Sequence, residues 1–430
     1  MSSSTTQPAA KDLPETPAPA SGFEGDVVDN SVGGYFRGYL NRVRGGDLGA
    51  LPAIAGIIVL AILFSALRSS TFPTALNVTN LFVQAVPISL LAMGLVFILL
   101  LGEIDLSAGT ASGVCAAFMA TLMARHGVSW PVAVLAAMVA GVVIGLFTGV
   151  LVSYVRIPSF VVTLALFLGW QGVTLKIIGQ GGTVPVRNNV VVGLANKSLS
   201  VTWGWILAVV VIVLFAVLQL NRARTQRAKG LVSQPMAVVL ARIAVIAVIT
   251  LLVTWVMSVN RALNPNFKLS GVPYAIPVVI ALLLILTFVL GKTSFGRHVY
   301  AVGGNAEAAR RAGINVTRIR VLVFSLSSLM AAISGIAAAS RLSSVDPSSG
   351  GGNTLLYAVA AAVIGGTSLF GGRGRVRDAV LGGLVIAIID NGLGLLGVSA
   401  YLNFIITGAV LLLAASVDAL ARRRAASTGR

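Results

Sequence analysis

The sequence predicts an all-α polytopic membrane protein of about twelve spanning helices, some of them short or discontinuous. Three observations carry that prediction. Of the 430 residues, 57% are hydrophobic and only 10% are charged, where a soluble globular protein carries roughly 25% charged residues. Mean hydropathy is +0.94, and a soluble fold of that composition would expose large apolar patches. The net charge of +18 lies in short segments between apolar runs, which is the positive-inside pattern. It forms no basic stripe interleaved with aromatics, so nucleic acid is not an expected partner.

The elements follow in chain order. Residues 1–20 are rich in Ser, Thr, Pro and Ala and lack an apolar core, so they read as disordered. The whole stretch 1–45 is expected to be a disordered cytoplasmic tail. The first apolar run, 50–67, follows Arg37, Arg42 and Arg44. It reads as a retained helix entering from the cytoplasm, not a cleaved signal. A spanning helix needs about 20 predominantly apolar residues, and the next candidates are 80–101, 106–124, 131–154, 157–177 and 201–220. After a basic loop come 235–258, 273–291, 317–340, 355–370, 379–396 and 401–421. The membrane domain is thus expected over 46–424, with a cytoplasmic tail at 425–430. Cys115, the sole cysteine, lies inside an apolar run and is expected to pack there.

Charge parity orients these spans. Arg222, Arg224, Arg227 and Lys229 share one side with Lys292, Arg297, Arg310, Arg311, Arg318 and Arg320. Arg373, Arg375, Arg377 and the terminal Arg422–Arg424 fall on that side too, and loops 71–79 and 181–200 opposite carry few cations. Both termini are therefore expected in the cytoplasm.

The polar island 292–320 then faces the cytoplasm and encloses a short helix. Asn305 is a good N-cap, because its side-chain oxygen can accept from a free N–H of the first turn. Glu307 suits the positive end of the helix dipole, and Arg310 and Arg311 the negative end. Gly313 can take the left-handed conformation that closes a helix. A helix this short is marginal in water alone, so its natural use is to dock. Small Ala306, Ala309 and Ala312 would permit close approach in a partner groove, and Arg310 and Arg311 can alternatively face lipid headgroups.

Polar residues inside the apolar runs are the pathway candidates. A carboxylate at the bilayer centre costs about 2.5–3.5 kcal/mol on insertion scales. Glu103 and Asp105 therefore either line a water-filled pathway or cap the helix that starts near Leu106; a proton relay is a third reading. Asp390 and Asn391 line the pathway or make an interhelical hydrogen bond. Thr163, Gln171, Thr367 and Ser368 are further candidates. Asp346, in the outer loop 340–352, is either a partner contact or an ordinary loop acid. A weak internal repeat aligns 102–109 with 365–372, and Gly-interrupted short segments at matching places point to a transport pathway.

Covalent chemistry and nucleotide binding are not indicated. Gly291-Lys292-Thr293 resembles the end of a phosphate loop, but Leu286 stands where its first glycine belongs. Gly372-Arg373-Gly374 is no dinucleotide fingerprint. The two histidines, His126 and His298, have no metal-ligand spacing around them. The sequons at Asn77, Asn196 and Asn315 read as chance. Energy for pumping must then come from outside the chain.

Several motifs resemble those of one family. They are Glu103-Ile-Asp-Leu-Ser-Ala-Gly109, Ile157-Pro-Ser-Phe-Val-Val-Thr-Leu-Ala165 and Phe295-Gly-Arg-His-Val-Tyr-Ala-Val-Gly-Gly-Asn305. To these add Glu307-Ala-Ala-Arg310, Gly313-Ile-Asn315, Ile364-Gly-Gly-Thr-Ser-Leu369, Gly371-Gly372 and Asp390-Asn-Gly392. In this order the chain resembles sugar ABC importer permeases, in the ribose/xylose branch of the branched-chain amino acid/sugar permease family. The segment 221–265, absent from ribose-type members, makes it most similar to xylose-type permeases. The resemblance implies a bacterial inner-membrane translocation subunit, not an enzyme, moving a monosaccharide, with a pentose such as xylose expected. It implies a homodimeric or paired permease among membrane lipid, an extracytoplasmic sugar-binding protein, and a cytoplasmic ATP-binding cassette ATPase. ATP and Mg would be bound by that ATPase and no cofactor by this chain. Asn305, Ala306, Glu307, Ala309, Arg310 and Gly313 match the helix that transmits ATPase closure. The alternative is an ion-coupled secondary transporter, with Glu103, Asp105 and Asp390 as coupling groups.

Overall fold

The computed structural model describes residues 32–44, 49–179, 182–230, 234–262, 264 and 266–427. The expected tails at 1–45 and 425–430 fall outside the described residues except for 32–44 and 425–427. Residues 32–44 depart from the expected tail and form helix α1 (Val32–Arg44). It is anchored by Tyr35, whose ring lies 5.8 Å under the Arg242 guanidinium and whose hydroxyl accepts from it. Phe36 stays exposed, as on a helix lying at a bilayer interface.

The helices that follow are α2 (Leu51–Leu67), α3 (Ala75–Leu100), α4 (Ala108–His126), α5 (Trp130–Ser153), α6 (Ser159–Ile178) and α7 (Asn189–Asn196). Next come α8 (Val201–Ala228), α9 (Met236–Ser258), α10 (Ala275–Lys292), α11 (Ser294–Gly304) and α12 (Ala306–Arg311). The last are α13 (Val316–Leu342), α14 (Thr354–Ile364), α15 (Val376–Leu395) and α16 (Ala400–Ser427). Strands β1 (Val184–Pro185) and β2 (Ser344–Val345) pair antiparallel. Each expected span overlaps one helix. Among the described residues, eight helices are long and apolar enough to cross a membrane, and α2, α14 and the 400–410 part of α16 are shorter apolar helices. The span expected at 355–370 is cut short at Ile364. A Cβ on Gly365 would lie 1.9 Å from the Asp378 carbonyl, and Gly366 turns the chain with φ +116.

The core is built on α3 and α13, which run antiparallel. Gly94 sits on Ser327 and Met330, and the Ser334 hydroxyl donates to the Pro87 carbonyl at 2.7 Å. Gly141, Gly145 and Gly149 put one face of α5 against α13; a Cβ on Gly145 would lie 2.5 Å from the Phe324 carbonyl. Small residues admit this approach where lipid supplies no hydrophobic drive between helices. By contrast, α8 and α9 pack on each other and expose Val209, Val213, Val248 and Leu252.

The internal repeat is present, but in a different register from the expected one. At one constant offset, the α3 cap Thr74 corresponds to the α13 cap Asn315. Gly102 (φ +73), which closes α3, corresponds to Ser343 (φ +54), which closes α13. Helices α4, α5 and α6 correspond to α14, α15 and α16. Since α3 and α13 are antiparallel, the halves are inverted. The segments 102–109 and 365–372, expected to be repeats, are neighbours in space: a Cβ on Gly102 would meet the Phe370 carbonyl at 3.6 Å. The re-entrant segment that inversion demands is 343–353, which turns back beside α4 instead of forming a free outer loop.

Candidate functional site

The island forms one end of the molecule, built from α11, α12 and the start of α13. Thr293 caps α11, accepting from Gly296 N at 3.2 Å. Asn305 caps α12 as expected, accepting from Ala308 N at 2.9 Å. Gly313 closes α12 with φ +83. Glu307 does more than face a dipole: it pairs with Arg310 at 2.8 Å and Arg311 at 3.3 Å, all exposed. Ala309 is buried and Ala306 half-buried against this chain's own core. These two methyl groups therefore fasten α12 to the molecule. The face left for a partner carries Glu307, Ala308, Arg311 and Ala312.

This segment touches the C-terminal end of α3 through backbone. Gly303 lies where a Cβ would be 1.7 Å from the Leu100 carbonyl, and Gly372 N donates to that same carbonyl at 2.9 Å. The Tyr300 hydroxyl donates to the Gly374 carbonyl at 2.7 Å. Burial raises the Tyr300 pKa above its ordinary value, which keeps the phenol a donor. Thr367 and Ser368 lie in the same loop cluster, both buried; Ser368 N donates to the Arg373 carbonyl at 2.9 Å.

From Leu100 the chain rises through 102–107 before α4 begins. Glu103 pairs with Arg320 on α13 at 2.9 Å, with the side chains 13% and 29% exposed. The Thr163 hydroxyl is within reach of the Ser159 carbonyl, 2.8 Å, and the Ile104 carbonyl, 3.3 Å. Asp105 is buried and accepts from both Ser107 N (2.9 Å) and Ser107 Oγ (2.7 Å). The corresponding turn before α14 is built the same way. Asp346 accepts from Ser348 N at 2.7 Å and Ser348 Oγ at 2.6 Å. The fourth residue after each aspartate is a glycine, and the two meet: a Cβ on Gly109 would lie 2.7 Å from the Gly350 carbonyl, and one on Gly350 2.3 Å from the Gly109 carbonyl. Two half-helices, α4 and α14, thus start beside each other and run in opposite directions. Gln171 approaches the second turn, its Nε2 3.3 Å from where Gly351 would carry a Cβ.

Asp390 and Asn391 lie elsewhere, at the end opposite α12. Asn391 and Asn77 exchange two hydrogen bonds, 2.9 and 3.0 Å. Asp390 accepts from Asn403 Nδ2 at 3.2 Å. The sequence candidates therefore occupy three levels: Glu103, Asp105, Thr163, Thr367 and Ser368 toward α12, Gln171 at the second turn, and Asp390 with Asn391 at the far end. Two features escaped the sequence reading. Arg320 stood out only as a loop charge, and the Asp-x-Ser-x-Gly recurrence at 105–109 and 346–350 was legible as a pattern yet aligned to the wrong partner.

Inverted repeats with interrupted helices are the architecture of many transporters. The family profile described as "Branched-chain amino acid transport system / permease component" matches residues 77–415. The chain belongs to this family. Among relatives, the xylose transport system permease protein of Escherichia coli (strain K12) is 35% identical over 378 residues, 88% of this chain and 93% of that protein. Its namesake in Haemophilus influenzae is 33% identical over 377 residues, 88% and 98% of the two chains. The ribose import permease protein of Escherichia coli (strain K12) is 32% identical over 366 residues, 85% and 92%. No solved structure matches the chain. The resemblance to xylose- and ribose-type permeases read from the motifs therefore holds, and the permease is a translocation subunit, not an enzyme.

Proposed function

We propose that this permease is the membrane subunit of an ATP-driven importer that moves a monosaccharide, a pentose such as xylose, into the cytoplasm. Its relatives' names support the substrate class. A separate cassette ATPase binds ATP and Mg and docks on α12. A sugar-binding protein delivers substrate at the opposite end, and two copies of the chain pair in the bacterial inner membrane with both termini cytoplasmic. The coupling segment is 292–320, within a membrane domain of 46–424.

The observation that carries the reading is the unbroken connection from α12 to the interrupted helix. A push on α12 reaches Leu100 through Gly303, and reaches Glu103 through the Arg320 pair on α13. Both act on the segment that leads into α4. The ion-coupled alternative needs free carboxylates on the pathway. Glu103 is paired with Arg320, Asp105 is held in its own turn, and Asp390 lies at the far end. The test is reconstitution with and without the ATPase and binding protein. Sugar accumulates only when both and ATP are present; accumulation by the chain alone under an ion gradient would sink the reading.

A further inference from the structure

Beside α12 lies a cleft of about 580 Å³ between the α5–α6 turn and the first turns of α13. Arg156, Arg310 and Arg320 line it, with one carboxylate, Glu103. Glu103 is taken by Arg320, and Arg310 by Glu307. Arg156 forms no ion pair among the described residues. It is held in the left-handed region at φ +65, a conformation uncommon for a non-glycine residue. Ser153 also lines the cleft; it is only 7% exposed, and its hydroxyl oxygen is closed off within the packing, without a hydrogen-bond partner among the described residues.

One uncapped helix N-terminus opens on the same space: Pro158 and Ser159 at the start of α6 line it, and no side chain caps α6 among the described residues. Val316 and Thr317 of α13 line it too, but there Asn315 already accepts from Arg318 N at 2.9 Å. An uncapped helix N-terminus and guanidinium groups are donors that phosphate takes. The surroundings specify the rest of the ligand. α5, α6 and α13 are membrane-spanning by length and composition, so this junction of their ends is at bilayer-interface depth. The outer face of α5 exposes Val143, Phe147 and Val150, continuing to Tyr154 and Phe160 at the rim of the cleft. That is an apolar track ending in a cationic pocket.

We propose that the cleft is a phosphate-recognition site occupied by the headgroup of an anionic phospholipid, its acyl chains lying along α5. The headgroup phosphate sits against Arg156 and the α6 N-terminus. It competes with Glu103 for Arg320, so occupancy loosens the pair that joins α13 to the segment before α4. This inference is independent of the substrate carried.

The experiment titrates the full-length detergent-solubilised chain with phosphatidylglycerol, phosphatidylcholine or inorganic phosphate, reading bound lipid by native mass spectrometry. Phosphatidylglycerol is retained over phosphatidylcholine. Arg156→Gln lowers that preference about fivefold, the effect of one basic residue at an anionic surface. Arg156→Lys keeps most of it, and Arg187→Gln at the opposite end leaves it unchanged. Matching thermal unfolding of wild type and Arg156→Gln shows that folding is not the cause. Equal retention of the two lipids overturns the proposal, as does an Arg156→Gln chain that binds phosphatidylglycerol like wild type. Displacement of the lipid by inorganic phosphate alone assigns the cleft to the free ion and overturns the lipid assignment.

Discussion

The turns before α4 and α14 share one design and differ in how they are held. Each has an aspartate whose Oδ1 accepts from the N–H and hydroxyl of a serine two residues on. The first is enclosed by side chains: Asp105 is 3% exposed, Thr163 and Ser159 grip the neighbouring Ile104, and Glu103 is tied to Arg320. The second is half-exposed and held mainly by backbone. β2 pairs with β1, and Gly350, Gly351 and Gly352 follow the aspartate. The teaching is that an inverted repeat need not be functionally symmetric. The copy toward α12 is locked into the helix bundle, and the other is a backbone-built cover.

The sharpest way to break this comparison is to force the two turns apart. A Cβ on Gly113 would lie 1.9 Å from the Ser349 carbonyl, so Gly113→Leu cannot be accommodated without separating α4 from the re-entrant segment. The expected cost exceeds ~3 kcal/mol, visible as loss of a cooperative thermal transition and of transport. Gly169→Ala, where nothing lies within 4 Å, is the matched control and stabilises by about 0.5–1 kcal/mol. Equal effects of the two substitutions would mean the turns do not need each other.

Asymmetry is tested next by truncating each aspartate. Asp105→Ala leaves the buried Ser107 without its acceptor and costs about 1–3 kcal/mol, the range for a buried polar group left unpaired. Asp346→Ala, in a wetter turn, costs about 1 kcal/mol or less. Asp105→Asn retains the accepting oxygen and should transport nearly as well as wild type. If instead Asp105→Asn abolished uptake while folding normally, the charge, not the turn, would be what matters.

How far the sequence anticipates this arrangement depends on the range of the interaction. Local chemistry is legible: the Asn305 cap, the Gly313 closure and the apolar runs all follow from residues within a turn or two of one another. The repeat register is not, because glycine-rich segments align in several ways. Only the meeting of Gly109 with Gly350 selects one of them. Ala309 shows a related limit, since a small residue suits a partner's groove as well as the chain's own core, where it is buried. Asn391 shows the same limit: the pairing with Asn77 that occupies it spans most of the chain.

A smaller effect separates connection from stability. Glu103→Gln removes one side of a partly buried pair, and after allowance for its exposure the expected loss is about 1 kcal/mol. The larger change is in ATPase stimulation by sugar-loaded binding protein, which should fall severalfold. Arg320→Gln should do the same, and the double variant should be no worse than either single one, the signature of residues acting as a pair. Additive losses would show that Glu103 and Arg320 act separately.

The smallest stability effect belongs to the most exposed group. Glu307 pairs with Arg310 and Arg311 in water, where such contacts are worth a few tenths of a kcal/mol. Glu307→Ala should therefore unfold within about a degree of wild type, since Asn305 and buried Ala309 still hold α12 in place. Its effect on ATP-driven uptake should nonetheless be clear if the proposed ATPase contact is on α12, because it frees Arg311 on the outward face of that helix. A melting temperature unchanged with uptake also unchanged would move the contact off α12. An unchanged melt with slowed uptake would place it there, because among the described residues that carboxylate pairs only with Arg310 and Arg311.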